Sequence, residues 1–213
     1  MHMLKKFLIA TACLVFATLA HAQDLQEGKQ YQVLNPAQPL ETKGKIEVVE
    51  FFWYGCPHCF DFEPLIQKWL KKLPGDVLFR RVPAIFGNQA WMPGAKIYYA
   101  LESMNLVEKM HGEVFDAMHV DRVNLQNEKH LFDWMEKKGV DRQKFTDAYN
   151  SFAVTSKAQR AMQLTQAHKL QGVPAMVVQG KYMPASGAAG SYDDVLAIVD
   201  KLIAKARTEL PKK

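Results

Sequence analysis

An apolar run, Val48-Val49-Glu50-Phe51-Phe52-Trp53-Tyr54, reaches Gly55 and is followed at once by Cys56-Pro57-His58-Cys59. Near-continuous apolar character over that length suits a strand covered on both faces, the habit of a parallel sheet interior. Proline after Cys56 favours the first position of a helix, where its missing N–H would have no intrahelical partner anyway. A strand that hands two cysteines to the first helical turn restricts the chain to an α/β architecture. In this register Cys56 is the N-cap and Cys59 the third helical residue.

The rest of the chain reads around that junction. The strand covers Lys45–Tyr54, and the helix runs from Pro57 to about Lys72. Its apolar stripe is Phe62, Leu65, Ile66, Trp69, Leu70 and Leu73, at spacings of three and four. Pro64 removes one backbone bond and is expected to kink it. Pro74-Gly75 ends the helix and Val77–Ala84 makes a second strand, giving a βαβ unit with a right-handed crossover. From Trp91 to Gln171 the pattern is helical, in pieces near 94–104, 107–119, 127–138, 142–150 and 152–170. Strands return at Ala175–Gln179 and Lys181–Pro184, with Gln179-Gly180 as a hairpin signal. Ser191 is a suitable N-cap for a last helix that buries Val195, Ile198, Val199, Leu202 and Ala206. Tyr31–Leu34 adds a short edge strand. The expected organisation is one α/β domain built from residues 23–90 and 172–213, interrupted by an all-helical insertion at 91–171.

The amino terminus sets the compartment. Lys5 and Lys6, the thirteen-residue stretch Phe7–Leu19 and Ala20-His21-Ala22 have the layout of a secretory signal peptide over residues 1–22. That stretch is shorter than the roughly 18 residues of a membrane span. Cleavage removes Cys13 together with Lys5 and Lys6, lowering the formal charge from +5 to +3. No block of five or six like charges occurs, so the mild basicity carries no nucleic-acid footprint. The exported chain is expected to be soluble, with Cys56 and Cys59 its only cysteines. Outside the cytosol such a pair can be kept oxidised.

The placement suggests redox work. Unpaired N–H groups and the helix dipole face the Cys56 sulfur and favour a thiolate there. His58 adds a donor or a positive charge. Residues three apart on a helix face each other, so a disulfide can close, with Cys56 the attacked or attacking sulfur and the deeper, less exposed Cys59 the resolving one. A structural staple is the rival use, but closing a loop of about four residues removes little unfolded-chain entropy. Zinc needs about four ligands; no third exported cysteine exists, and His111, His119, His130 and His168 show no ligand-like pairing. Glu50 has two readings: a buried carboxylate exchanging a proton with Cys59, or an acid at the sheet margin paired with a surface lysine. The bond before Pro174 is left open between cis and trans.

Glu50-Phe51-Phe52, Cys56-Pro57-His58-Cys59, and Gly172-Val173-Pro174-Ala175 followed by Gly180-Lys181-Tyr182 together resemble the DsbA family of bacterial periplasmic thiol:disulfide oxidoreductases. The resemblance implies a thioredoxin-like fold with a large all-helical insertion and a periplasmic location. It implies a cis Pro174, with Val173 offering its backbone to an extended substrate. Cys56 would form the mixed disulfide with reduced, unfolded exported proteins, and Glu50 would be the buried acid, with Arg80 and Arg81 both candidates for its partner. Reoxidation would come from DsbB, a quinone-linked membrane oxidase, with no cofactor or metal on this chain, which would act as a monomer. A periplasmic isomerase or reductase is one rival; such proteins carry a separate dimerisation region, and a reductant tends to have Gly-Pro between its cysteines. A peptide-binding chaperone with an incidental disulfide is the other; it would work equally well after Cys56→Ser. A stabilised Cys56 thiolate further implies that the oxidised form unfolds at a lower temperature than the reduced one.

Overall fold

The computed structural model describes residues 25–42, 44–87 and 89–210 of the 213-residue chain. The signal segment expected at 1–22, with Cys13, lies outside the described residues.

A buried strand begins the βαβ unit as its apolar composition requires. β2 (Ile46–Phe52) is buried at every position. It leads through a tight turn into α1 (Pro57–Leu70), which runs through Pro64 as one continuous helix. β3 (Val77–Pro83) then pairs with β2 in parallel. β4 (Ala175–Val178) lies antiparallel on the other side of β2, followed by β5 (Tyr182–Pro184). β1 (Tyr31–Val33) closes the edge, giving the order β1-β5-β4-β2-β3.

Among the described residues a short 3-10 turn (Gln89–Trp91) and five α-helices intervene between β3 and β4: α2 (Met92–Ser103), α3 (Val107–His119), α4 (Glu128–Lys137), α5 (Arg142–Asn150) and α6 (Phe152–Ala167). Asn127, Asp141 and Ser151 cap α4, α5 and α6, each accepting the N–H three residues on. α6 stops three residues short of the expected end because Lys169 takes a φ of 52°, a left-handed conformation that breaks the helical ladder. α7 (Tyr192–Glu209) completes the chain behind its Ser191 cap. Its buried face uses Leu196 where the periodicity pointed to Val195, which is only half-buried.

The sheet is covered twice. Val48, Met176, Val178 and Tyr182 pack with Phe62, Ile66 and Trp69 of α1 and Leu196, Val199 and Leu202 of α7. Val49, Phe51, Val177 and Met183 pack into the helical block, around Phe115, Leu131, Met135 and Phe145. Two-sided burial accounts for the run of apolar residues in β2, and it makes the charged exceptions on that strand conspicuous.

The β4–β5 hairpin turns at Gln179 and Gly180, with φ of 55° and 60°, the pair of positive values that a tight two-residue hairpin needs. A Cβ on Gly180 would come within 2.3 Å of the Gln38 carbonyl oxygen. Gly180→Ala is therefore expected to cost about 1–3 kcal/mol, from backbone strain plus displacement of the 35–42 segment. Urea melts check it; a loss below a few tenths of a kcal/mol would show that the segment yields freely.

Candidate active site

The turn that delivers Cys56 is short and closed by its own backbone. The Cys56 N–H donates to the Trp53 carbonyl at 2.9 Å, leaving Tyr54 and Gly55 as the central residues. A side chain at 55 would strike the Trp53 indole, whose nearest atom lies 2.4 Å from a Cβ built there. The indole folds over this glycine and stacks on Trp91 at 4.1 Å. With backbone angles of −91° and 114°, Cys56 is an N-cap, and its sulfur accepts the Cys59 N–H at 3.4 Å. Pro57 and His58 are exposed at the start of α1. Cys56 is 7% exposed and Cys59 fully buried, and both are free thiols.

The two sulfurs differ sharply. Cys56 is lowered from 9.0 to about 6. The largest cause is a hydrogen bond from the Cys59 side chain, opposed by burial and reinforced by the N–H groups of Cys59 and His58 and the His58 charge. Cys59 is pushed far up, by burial first and then by Cys56, with the Glu50 charge adding to the effect. One sulfur is an anion near neutral pH and the other keeps its proton.

The Val173–Pro174 peptide is cis. The Val173 carbonyl oxygen lies 3.5 Å from Cys56 Sγ and accepts from it when the thiol is protonated, so the loop before β4 lies directly against the reactive sulfur. The same loop forms one wall of a groove of about 360 Å³ whose lining includes Gln171, Val173, Met176, Met183, Ala189 and Val195.

Glu50 is buried, 1% exposed, and Arg81 rather than a surface lysine is its partner. The parallel register sets Glu50 directly beside Arg81, whose Nε donates to Glu50 Oε2 at 3.0 Å. Arg80, on the opposite face of β3, reaches Glu47 instead at 3.1 Å. The other arm of Arg81 donates to both oxygens of Glu63 in α1, at 2.9 and 3.0 Å. Two buried carboxylates therefore share one guanidinium. Burial pushes Glu50 up to about 7, with Arg81 pulling against it and Glu63 adding to it.

Glu63 and two histidines were not picked out from the sequence. Glu63 lies on the flank of the α1 stripe, one turn after Cys59, and a charge at that position in a helix under a covered sheet was the available signal. His111 is 2% exposed, with Nδ1 2.8 Å from the Tyr54 hydroxyl and Nε2 3.5 Å from Glu63 Oε2. Burial holds it below the usual histidine range. His119 Nε2 lies 2.7 Å from the Tyr54 carbonyl oxygen. Nothing local in the sequence ties either residue to Tyr54. Among the described residues no cluster of three or more His, Cys, Asp or Glu side chains could hold a metal ion.

The chain is similar to known proteins over most of its length. A family model described as a DSBA-like thioredoxin domain matches residues 78–195. The thiol:disulfide interchange protein DsbA of Pseudomonas aeruginosa is 44% identical over 209 residues, spanning 96% of this chain and 99% of that protein. The protein of the same name from Azotobacter vinelandii is 43% identical over 185 residues, with 87% and 86% covered. The crystal structure of Pseudomonas aeruginosa DsbA superposes with a TM-score of 0.83 at 44% identity, covering 88% of this chain and 97% of that one. The oxidoreductase DsbA from Xylella fastidiosa gives 0.80 at 32% identity, with 87% and 99% covered.

Proposed function

This chain belongs to the DSBA-like thioredoxin family, and from that premise we propose that it is a periplasmic dithiol oxidase that donates a Cys56–Cys59 disulfide to folding exported proteins. The observation that carries the reading is the sulfur of Cys56 at the amino end of α1, accepting the Cys59 N–H and lowered to about 6. A stabilised thiolate favours the reduced protein, and so makes the oxidised one an electron acceptor.

The reaction follows from the division between the sulfurs. A substrate thiolate attacks Cys56 Sγ of the disulfide, and the electrons of the broken S–S bond leave on Cys59. Cys59, whose thiol is pushed up by burial, takes a proton, and Glu50, poised at about 7, supplies it. A second substrate thiolate attacks the substrate sulfur of the mixed disulfide and expels Cys56 as a thiolate. The substrate has then lost two electrons and the protein holds its pair reduced. His58 supports the thiolate, Pro57 fixes the helix start, and Val173 and cis Pro174 present backbone to an extended substrate above the adjacent groove.

Residues 23–90 with 172–213 act as the thioredoxin-like domain and 91–171 as its helical insertion, behind a signal peptide at 1–22. Among the described residues no helix is long and apolar enough to cross a membrane. The protein acts as a monomer that collects electrons from reduced exported proteins and passes them to DsbB.

Cys59→Ala tests the sequence of steps. Mixed with an exported protein left with a single thiol, this variant, first joined to glutathione at Cys56, is expected to accumulate a mixed disulfide between Cys56 and the substrate. Wild-type protein should clear the same species, because Cys59 attacks Cys56 and releases the substrate thiol. Preferential shuffling of an already mispaired substrate by the wild type would favour the isomerase. Substrate binding undiminished in Cys56→Ser, with no oxidase activity in the wild type, would favour the chaperone.

A further inference from the structure

The residue two before Cys56 is gripped twice by one helix of the insertion. His111 and His119 lie eight residues apart on α3, and both reach Tyr54: the first its hydroxyl at 2.8 Å, the second its carbonyl oxygen at 2.7 Å. A carbonyl only accepts, so His119 donates from Nε2–H, and its tautomer is set. That carbonyl belongs to the peptide between Tyr54 and Gly55, the central peptide of the turn closed by Cys56 N–H and the Trp53 carbonyl. The two commonest four-residue turns differ mainly by a flip of this central peptide. Holding its oxygen therefore fixes how the chain enters α1, and with it the angle at which Cys56 caps the helix. The His119 ring also stacks on Phe60, one residue after Cys59, with centroids 5.0 Å apart and planes 16° from parallel. Tyr54 is 1% exposed, so its carbonyl gains no comparable partner from solvent.

We propose that His119 is a positioning residue for Cys56: through the Tyr54 carbonyl, with His111 anchoring the same residue by its hydroxyl, α3 locks the Trp53–Cys56 turn so that the sulfur stays in line with the helix N–H groups. The helical insertion thereby takes part in setting the reactivity of the cysteine pair. This deepens the oxidase reading and rests on it only for the consequence to electron transfer; the geometry stands by itself.

His119→Phe keeps a flat ring on Phe60 and deletes the donor, while His119→Gln returns an N–H near the place of Nε2. Thiolate absorbance against pH reads Cys56 directly. His119→Phe is expected to raise its midpoint by about half to one pH unit, the size of one net hydrogen bond, and to shift the equilibrium with glutathione about threefold to tenfold toward the disulfide. His119→Gln should return most of both. A purely structural contact would lower the melting temperature of His119→Phe and leave both readouts in place. A low wild-type midpoint unmoved by His119→Phe sinks the proposal alone; a wild-type midpoint near that of a free cysteine sinks the oxidase reading with it. Imidazole nitrogen NMR of the unmutated reduced protein tests the contact without any substitution. A single Nε2–H tautomer for His119 is expected, and an Nδ1–H form or a mixture overturns the proposal.

Discussion

The stability of the reduced protein relative to the oxidised one is expected to climb by about 4 kcal/mol between pH 6 and pH 9, at about 1.4 kcal/mol per unit. Cys56 is lowered from 9.0 to about 6. An acid whose folded value is depressed contributes stability that is fully present above its unfolded value and is lost as pH falls through the folded one. The window therefore opens near 6 and closes near 9. Only the dithiol form has this proton to lose, so the oxidised form is flat across the window on this account. Its disulfide closes a loop of about four residues and stabilises it by about 2 kcal/mol through the unfolded chain. Setting that against the thiolate, the reduced form overtakes the oxidised one at about pH 7.5 and melts higher beyond it. Above 9 the Cys56 gain is complete, because that thiol is then ionised in the unfolded chain too, and the advantage falls, because burial keeps Cys59 protonated in the folded state while the unfolded chain releases its proton. Denaturant melts of both redox forms at pH 6, 7.5 and 9 decide the matter. A gap that stays constant across those three would mean that the Cys56 thiolate owes nothing to the fold.

What could be read in advance divides by how far apart the cooperating residues lie. The β2–α1 junction rests on neighbours: an apolar run, a glycine, and a proline at the first helical position. Short-range rules therefore placed the N-cap sulfur correctly. The hairpin at Gln179-Gly180 and the Ser191 cap are local in the same sense. Glu50 stood out as a charge in an apolar strand, yet its two readings could not be separated, because its surroundings come from β3 and α1. The choice between Arg80 and Arg81 turned on register: Arg81 falls beside Glu50, and alternation sends Arg80 to Glu47 on the other face. Register depends on how two strands align, and no single stretch contains it. The partners of Glu63, His111 and His119 escape a local reading for the same reason, since they lie on other elements. The burial of the last helix shows the limit at fine grain: Val195 and Leu196 are both apolar, and only packing chose between them.

The most costly single change outside the cysteines should be at Arg81. Among the described residues its guanidinium is the one cation held between Glu50 and Glu63, with side-chain exposure of 9% against 1% and 8% for the two acids. Arg81→Met leaves two buried carboxylates facing each other, a situation expected to cost about 3–5 kcal/mol. Protonation offers partial escape, and that sets the pH dependence. Glu50 already stands at about 7 against a usual 4.5, mainly through burial. Without Arg81 it must rise further, since the charge pulling it down is gone. A carboxyl whose folded value is raised has its full stability below the unfolded value and loses it as pH climbs through the folded one. The defect in Arg81→Met should therefore be small at pH 4.5 and largest above pH 8. Adding Glu50→Gln should recover much of the loss at high pH and little at low pH, because only the ionised acid is in trouble. Parallel melts of the single and double variants at both pH values measure this. Equal losses at the two ends would show that Arg81 serves the core through its packing, with its charge incidental. The catalytic corollary runs through Cys59, which the Glu50 charge helps to push up. A Glu50 that stays protonated at neutral pH cannot take back the Cys59 proton during reoxidation of the dithiol, so Arg81→Met should slow that step more than the first attack on the disulfide.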